Sequence, residues 1–210
     1  MATAAAFLLM RQAARAEHPL YGGVDFVRDP NLIPPAESPQ DFPIQSYENT
    51  LGARFRRQIV TIGSTNRPNS LIVDPEHRFV YYILGNNQAL RYGAGVGREG
   101  FAWSGNALVG MKRRWPRWVP PESMVQRDNN AAKWANGMPG GPENPLGARA
   151  LYLQANGVDT LYRIHGTNEP SSIGKAVSSG CIRMLNEDVA DLFERVKVGT
   201  PVTVLAPGTF

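Results

Sequence analysis

Cysteine is nearly absent from this chain: among 210 residues there is one, Cys181. A single cysteine excludes an intramolecular disulfide and any multi-cysteine zinc or iron–sulfur site, and it makes that residue a candidate nucleophile. Long apolar runs are also missing. The longest candidate, Ala4 to Met10, is about half of the roughly 20 residues that a membrane-spanning helix needs. The excess of one charge over the other is small, with 22 basic and 18 acidic residues and a formal charge of +4. That balance suggests anionic surroundings but falls short of a nucleic-acid binder's density. Histidine occurs three times. What is plentiful is 21 Gly and 17 Pro beside 42% hydrophobic and 19% charged residues. These values exclude a generally disordered chain and a helical bundle, and point to one β-rich domain with an extension.

The extension is expected at the N-terminus, over residues 1–56. The run Ala4–Met10 is followed by Ala14-Arg15-Ala16, a small-x-small pattern, but no positive residue precedes the run. Both a truncated export signal and a short N-terminal helix fit. Pro19, Pro30, Pro34, Pro35, Pro39 and Pro43 then mark an extended arm or linker. Four short stretches rich in β-branched and aromatic residues follow at 59–62, 71–73, 79–84 and 89–92, separated by Asp74-Pro75-Glu76-His77 and Gly85-Asn86-Asn87 among other turn formers. They predict strands joined by hairpins. Residues 123–134 are weakly helical and 136–147 predict a long loop. Strands resume at 150–153 and 160–164, the second delivering His165 at its end. Asn186 as N-cap, acidic Glu187 and Asp188, then Val189, Leu192, Phe193 and Val196 at helical spacing predict an amphipathic helix near 187–197, ended by Gly199. A closing strand is expected at 200–205, and no internal repeat is visible.

A thiol attacks a carbonyl well only as thiolate, and a nearby imidazole can accept its proton, so a Cys nucleophile calls for a His partner. His18 lies in the arm and His77 in a hairpin turn; His165 stands sixteen positions before Cys181, with turn-forming residues between. The two can meet across one loop. Gly180 permits a sharp turn that would present the Gly180 and Cys181 N–H groups as an oxyanion hole. Against this, a lone Cys is often simply buried and a lone His simply hydrogen-bonded. Spacing alone leaves both readings open.

His165-Gly166-Thr167-Asn168 followed by Ser178-Ser179-Gly180-Cys181-Ile182-Arg183-Met184-x-Asn186-x-Asp188 resembles the signature of the YkuD-type L,D-transpeptidase catalytic domain. The likeness extends to Gly140-Gly141-Pro142-x-Asn144-Pro145-Leu146-Gly147-x-Arg149-Ala150-Leu151-Tyr152-Leu153 and covers roughly residues 57–206. One departure is Ser179, where many members place a His before the Gly-Cys pair; it bears on a second imidazole, not on the principal one. The resemblance implies a mostly β fold of sandwich or barrel type with a few short helices. It also implies a periplasmic or otherwise extracytoplasmic enzyme acting on the stem tetrapeptides of peptidoglycan. Cys181 would attack the carbonyl of an L-centre, expel the terminal D-amino acid and pass the acyl group to an amine, on another stem or on a lipoprotein. His165 would serve as base and then acid, its ring oriented by the Gly166 carbonyl. Ser179 and Gly180 would line the oxyanion site, and Arg183, Ser178 and Asn168 would bind substrate. Neither metal nor organic cofactor is implied. Carbapenems should acylate such a site more readily than penicillins.

Two alternatives remain at this stage. Water attacking the same acyl-enzyme would give an L,D-carboxypeptidase or endopeptidase, and a buried, inert Cys181 would give a non-catalytic wall-binding module. Arg183 can equally form a structural ion pair, and Asn186 and Asp188 read first as helix capping and dipole residues. Lys112-Arg113-Arg114-Trp115-Pro116-Arg117-Trp118 is the one basic and aromatic cluster. Its prolines predict a loop, which the resemblance would place near the groove, with a solvated rim and half-buried Trp side chains preferred over sugar contact or single-strand nucleic-acid binding.

Overall fold

The computed structural model describes residues 38, 40–97, 103–178 and 181–209. The stretch read as a truncated export signal or a short N-terminal helix, His18 and most of the proline arm lie outside the described residues, as do Ser179 and Gly180. Nine strands form one mixed sheet in the order β1-β4-β3-β2-β11-β6-β7-β8-β10. Its first half is a meander of β1 (Gln58–Thr61), β2 (Leu71–Asp74), β3 (Phe79–Gly85) and β4 (Gln88–Gly93). The β3–β4 reversal uses Asn86 and Asn87, both at positive φ (50° and 58°), which suits the tight hairpin turn that matches strand twist. The second half is β6 (Gly105–Arg114), β7 (Arg149–Ala155) and β8 (Val158–His165), all antiparallel, with β10 (Ile182–Arg183) parallel to β8. The closing strand β11 (Pro201–Val204) joins the halves, parallel to β2 and antiparallel to β6.

A short side pair, β5 (Val96–Gly97) with β9 (Ala176–Ser178), lies beside the large sheet. Gly95 and Arg183 exchange two backbone hydrogen bonds of 2.8 Å, so the chain leaving β4 clasps the far edge strand β10. The sheet therefore curls toward closure, and its inner side holds one core. Leu71, Val73, Val80, Tyr92, Val109, Leu151, Leu153, Ile164, Ile182 and Val202 are buried together there. Each such side chain withdrawn from water contributes roughly 1.5–3 kcal/mol.

Three helices are present among the described residues: α1 (Glu122–Arg127), α2 (Asn129–Ala132) and α3 (Asn186–Arg195). The sequence reading of 123–134 thus resolves into two short helices, the second capped by Asp128 Oδ1 accepting from the Asn130 and Ala131 amides. In α3, Val189, Leu192 and Phe193 are buried against β7 and β8, as their spacing predicts. Its start differs from the expectation: the cap position is Leu185 and makes no side-chain cap bond, because Asn186 is engaged elsewhere, as described below. Its end also differs. Val196 is already extended, and Gly199 (φ 88°) serves the following turn into β11.

The basic cluster is not one loop. Lys112, Arg113 and Arg114 complete β6. Lys112 Nζ donates to the Phe193 and Val196 carbonyls and lies 4.1 Å from the Phe193 ring centroid, a positive cap on the negative end of α3. Arg114 pairs with Glu194 at 2.9 Å. Trp115 is fully buried, and its Nε1 donates to Asp41 Oδ1 at 2.7 Å. The described part of the arm before the first strand is accordingly tied down: the Ser38 amide donates to the Trp115 carbonyl at 3.1 Å, Asp41 also meets Arg149 (3.5 Å), Phe42 packs edge-on against Trp115, and Ser46 and the Tyr47 amide donate to Glu187 Oε1.

The breaker-rich loop 136–147 is organised by one buried side chain. Asn144 Nδ2 donates to the Pro116 (3.1 Å) and Pro139 (2.9 Å) carbonyls while its Oδ1 accepts from the Leu146 amide at 2.8 Å. Three backbone groups of the loop and its neighbour Pro116 are thereby paired.

Candidate active site

Alternation along three neighbouring strands builds the site. Side chains two apart on a strand share a face, so His165 and Arg163 of β8 lie on one face while Ile164 and Tyr162 face the core. On β10, Arg183 pairs with His165 and Ile182 with Ile164. Continuing that register by one residue sets Cys181 opposite Arg163 and diagonal to His165. On β7, Ala150 pairs with His165 and Tyr152 with Arg163. The outer face of β7-β8-β10 thus collects Tyr152, Arg163, His165, Cys181 and Arg183, and the small Ala150 leaves room beside the imidazole. Main-chain bonds fix the strip: the Met184 amide donates to the His165 carbonyl at 2.8 Å and the Gly166 amide to Arg149 at 3.0 Å.

His165 is buried, at 4% exposure. Its Nδ1 donates to the Gly166 carbonyl at 2.6 Å, since a carbonyl can only accept, and this leaves Nε2 with its lone pair. Burial, reinforced by the Arg183 and Arg163 cations, lowers its pKa to about 3. The resting imidazole is therefore neutral at physiological pH. The Gly166 and Leu146 carbonyls work in the opposite direction and favour the protonated ring. Cys181 is partly open to solvent, and burial of its sulfur pushes the thiol pKa up, against Arg163, whose guanidinium charge and backbone N–H hydrogen bond both favour the thiolate.

Gly166 follows the imidazole for a steric reason. A Cβ there would collide with Asn186 Oδ1, and so would one on Gly147, which sits at φ 63°. Asn186 is the hub between these segments: its Oδ1 accepts from Ala148 (2.9 Å) and Thr167 (3.1 Å), and its Nδ2 donates to the Thr167 carbonyl at 3.0 Å. That is why it does not cap its own helix, and it is a site-shaping residue that the capping pattern concealed.

The remaining expected residues divide. Arg183 stands on the site's face and pairs with Glu169 at 2.8 Å, an ion pair whose acidic side chain is 63% exposed. Asn168 is exposed and its Nδ2 donates to the Glu143 carbonyl at 2.9 Å. Ser178 ends β9, but its side chain lies outside the described residues, as do Ser179 and Gly180, so the expected oxyanion turn is not described. Two residues that the sequence reading did not select, Tyr152 and Arg163, belong to the strip. Strand alternation counted back from His165 was the available signal for Arg163. No group of three or more His, Cys, Asp or Glu among the described residues is arranged to hold a metal.

With this geometry in view, the chain can be compared with known proteins. Residues 68–204 match the family model of the L,D-transpeptidase catalytic domain, YkuD. The chain belongs to the YkuD family of L,D-transpeptidase catalytic domains. It is 34% identical over 151 residues to a probable L,D-transpeptidase, ErfK/SrfK, of Salmonella typhimurium, covering 70% of this chain and 47% of that protein. It is 36% identical over 150 residues to the probable L,D-transpeptidase YbiS of Escherichia coli K12, covering 69% and 47%. The chain thus spans about half the length of the curated relatives it matches. Among solved structures, a Brucella melitensis protein described as a probable carnitine operon oxidoreductase is 45% identical, with a TM-score of 0.51, covering 75% of this chain and 98% of that one. That description is of the Brucella protein; what it shares with this YkuD domain is the fold.

Proposed function

We propose that this YkuD domain is an L,D-transpeptidase whose nucleophile is Cys181 and whose general base is His165, acting on peptidoglycan stem tetrapeptides outside the cytoplasm. The observation that best supports the reading is the β8–β10 register, with Cys181 and His165 on one face and the imidazole Nδ1 held by Gly166. In the first half-reaction the sulfur adds to the L-centre carbonyl, its proton passes to His165 Nε2, and the ring returns that proton to the departing D-amino acid amine as the thioester forms. In the second, an acceptor amine loses a proton to the same nitrogen and displaces the thiolate. The Gly166 and Leu146 carbonyls favour the protonated ring and so steady the transient imidazolium. A stem amine or a lipoprotein amine would serve as acceptor, and water would give the carboxypeptidase product instead. Arg183, if released from the exposed Glu169, would meet a substrate carboxylate.

The test is turnover of a defined tetrapeptide followed by mass spectrometry, for the native protein and for Cys181→Ala and Cys181→Ser. Native protein should release the terminal D-amino acid and yield a cross-linked or amine-coupled product. Both variants should remain folded and inactive. Turnover retained by either variant would remove Cys181 from the mechanism.

A further inference from the structure

The strip holds a cation for which the proposed two-residue chemistry has no use. Arg163 is 12% exposed and its guanidinium is gripped by Asp159, Nη1 to Oδ1 at 2.6 Å and Nη2 to Oδ2 at 2.7 Å. It also stacks on Tyr152, with its Cζ 4.4 Å from the ring centroid. The backbone is bent to make this grip. Between Tyr152 and Gln154 the β7–β8 register shifts, Leu161 takes φ 62°, and Asp159 Oδ1 accepts from the Leu161 amide at 2.8 Å. A Leu in the left-handed region costs on the order of 1 kcal/mol, so the bulge is maintained against a local preference. Bulges of this kind re-aim a side chain, and here the side chain re-aimed is the one opposite Cys181.

We propose that Arg163 is a positioning residue for the nucleophile: a clamped cation beside Cys181 that eases ionisation of the sulfur as its proton leaves for His165. The inference rests on Cys181 being the nucleophile, as argued above. The groups facing the sulfur are Arg163 and His165 from β8, Arg183 from β10, Tyr152 from β7, and Asp159 from the bulge. Asp159 opposes the cation, but its influence on the thiol is weaker than that of Arg163. His165 is neutral at rest, so the positive charge that a cysteine nucleophile often draws from an imidazolium comes here from an arginine that cannot lose its proton. This cation has a second effect: it also disfavours protonated His165, keeping the base free to accept.

The experiment is the pH dependence of iodoacetamide alkylation of Cys181 in the whole folded chain, comparing the native protein with Arg163→Met, Arg163→Lys and the double variant Asp159→Asn with Arg163→Met. The double variant guards against misfolding, because removing both partners avoids the buried unpaired carboxylate that the single change leaves. Alkylation at pH 7 should slow about tenfold in both Met variants, with the inflection moved to higher pH, one unit of thiol pKa being tenfold in thiolate. Arg163→Lys should recover most of the native profile. A purely structural Arg163 would lower the unfolding midpoint without moving the profile, so folded Met variants whose profiles superimpose on the native one overturn the proposal, as does a Lys variant that behaves like Met. Because alkylation needs no substrate, it is read separately from turnover: activity surviving Cys181→Ala would defeat the function proposed above, whereas an unmoved alkylation profile defeats only the role of Arg163.

Discussion

The two faces of β8 and β10 are built from alternate residues of the same short strands, yet they do opposite things. Tyr162, Ile164 and Ile182 point inward beneath α3 and are almost without exposure. Arg163, His165, Cys181 and Arg183, interleaved with them, form the outer strip with two cations, an imidazole and a thiol. The inner set supplies the burial that fixes the backbone, and the outer set spends part of that stability on desolvated polar groups. Placement of reactive groups therefore comes from the apolar partners on either side in the sequence, which leave the outer residues no choice of face.

The sharpest way to break this comparison is to cut one member from each face. Ile164→Ala should cost about 2–5 kcal/mol of stability by the cavity it leaves, read by urea unfolding, whereas Cys181→Ala should leave the unfolding midpoint nearly unchanged while abolishing acyl transfer. A cysteine variant that unfolds as readily as the isoleucine variant would merge the two roles. Next in size is Asn186→Ala, which removes three hydrogen bonds from the segments flanking His165. Its expected cost is about 2–3 kcal/mol, at roughly 1 kcal/mol per bond, with kcat reduced more than KM is raised, since the imidazole's neighbours move. Steady-state kinetics beside urea unfolding checks both halves of this statement.

The acid limb of stability sharpens the same contrast. His165 ionises near its ordinary value of 6.5 when unfolded but only near 3 when folded. Below about pH 6.5 the unfolded chain takes up a proton that the folded one refuses, so stability falls as pH drops toward 3. Asp188, buried in α3 and pushed up to about 7, acts in the opposite sense, its unfavourable ionisation growing as pH rises from about 4. Comparison of native protein with His165→Gln isolates the first effect: between pH 7 and pH 4.5 the variant should lose less stability than the native chain. Equal losses would mean that His165 is not held neutral by burial. The smallest effect belongs to the scaffold behind the strip. Lys112→Met should lower stability by about 1 kcal/mol through loss of the α3 cap, without altering turnover.

How much of this was readable in the sequence follows from which interactions are local. The strands at 59–62, 71–73, 79–84 and 160–164 declare themselves because β-branched and aromatic residues alternate between turn formers, and α3 does so by its buried stripe. His165 stood out by elimination as the candidate partner of Cys181, there being one cysteine and, as read from the sequence, one histidine at a strand end, while spacing left their pairing open. β6 was not recognised, because Gly105, Gly110 and the Lys112–Arg114 run interrupt its pattern, and Lys112 and Arg114 meet their α3 partners only across a long stretch of chain. β10 is two residues long, too short for any periodic signal. Asn186 has the residue type and position of a helix cap, but contacts with Ala148 and Thr167, distant in the chain, outweigh the local preference. Arg163 was passed over because its meaning depends on register with Cys181, a relation between strands that no single stretch of sequence displays.

The central claim is that Cys181 forms the acyl-enzyme, and a carbapenem tests it most directly, since its strained lactam carbonyl meets the same sulfur as the peptide. Intact-mass measurement of the folded chain after incubation, followed by peptide mapping, should give one adduct of the antibiotic's full mass on Cys181 and none in Cys181→Ala. No adduct on the native protein, or an adduct mapped to Ser178 or Ser179, would contradict the account.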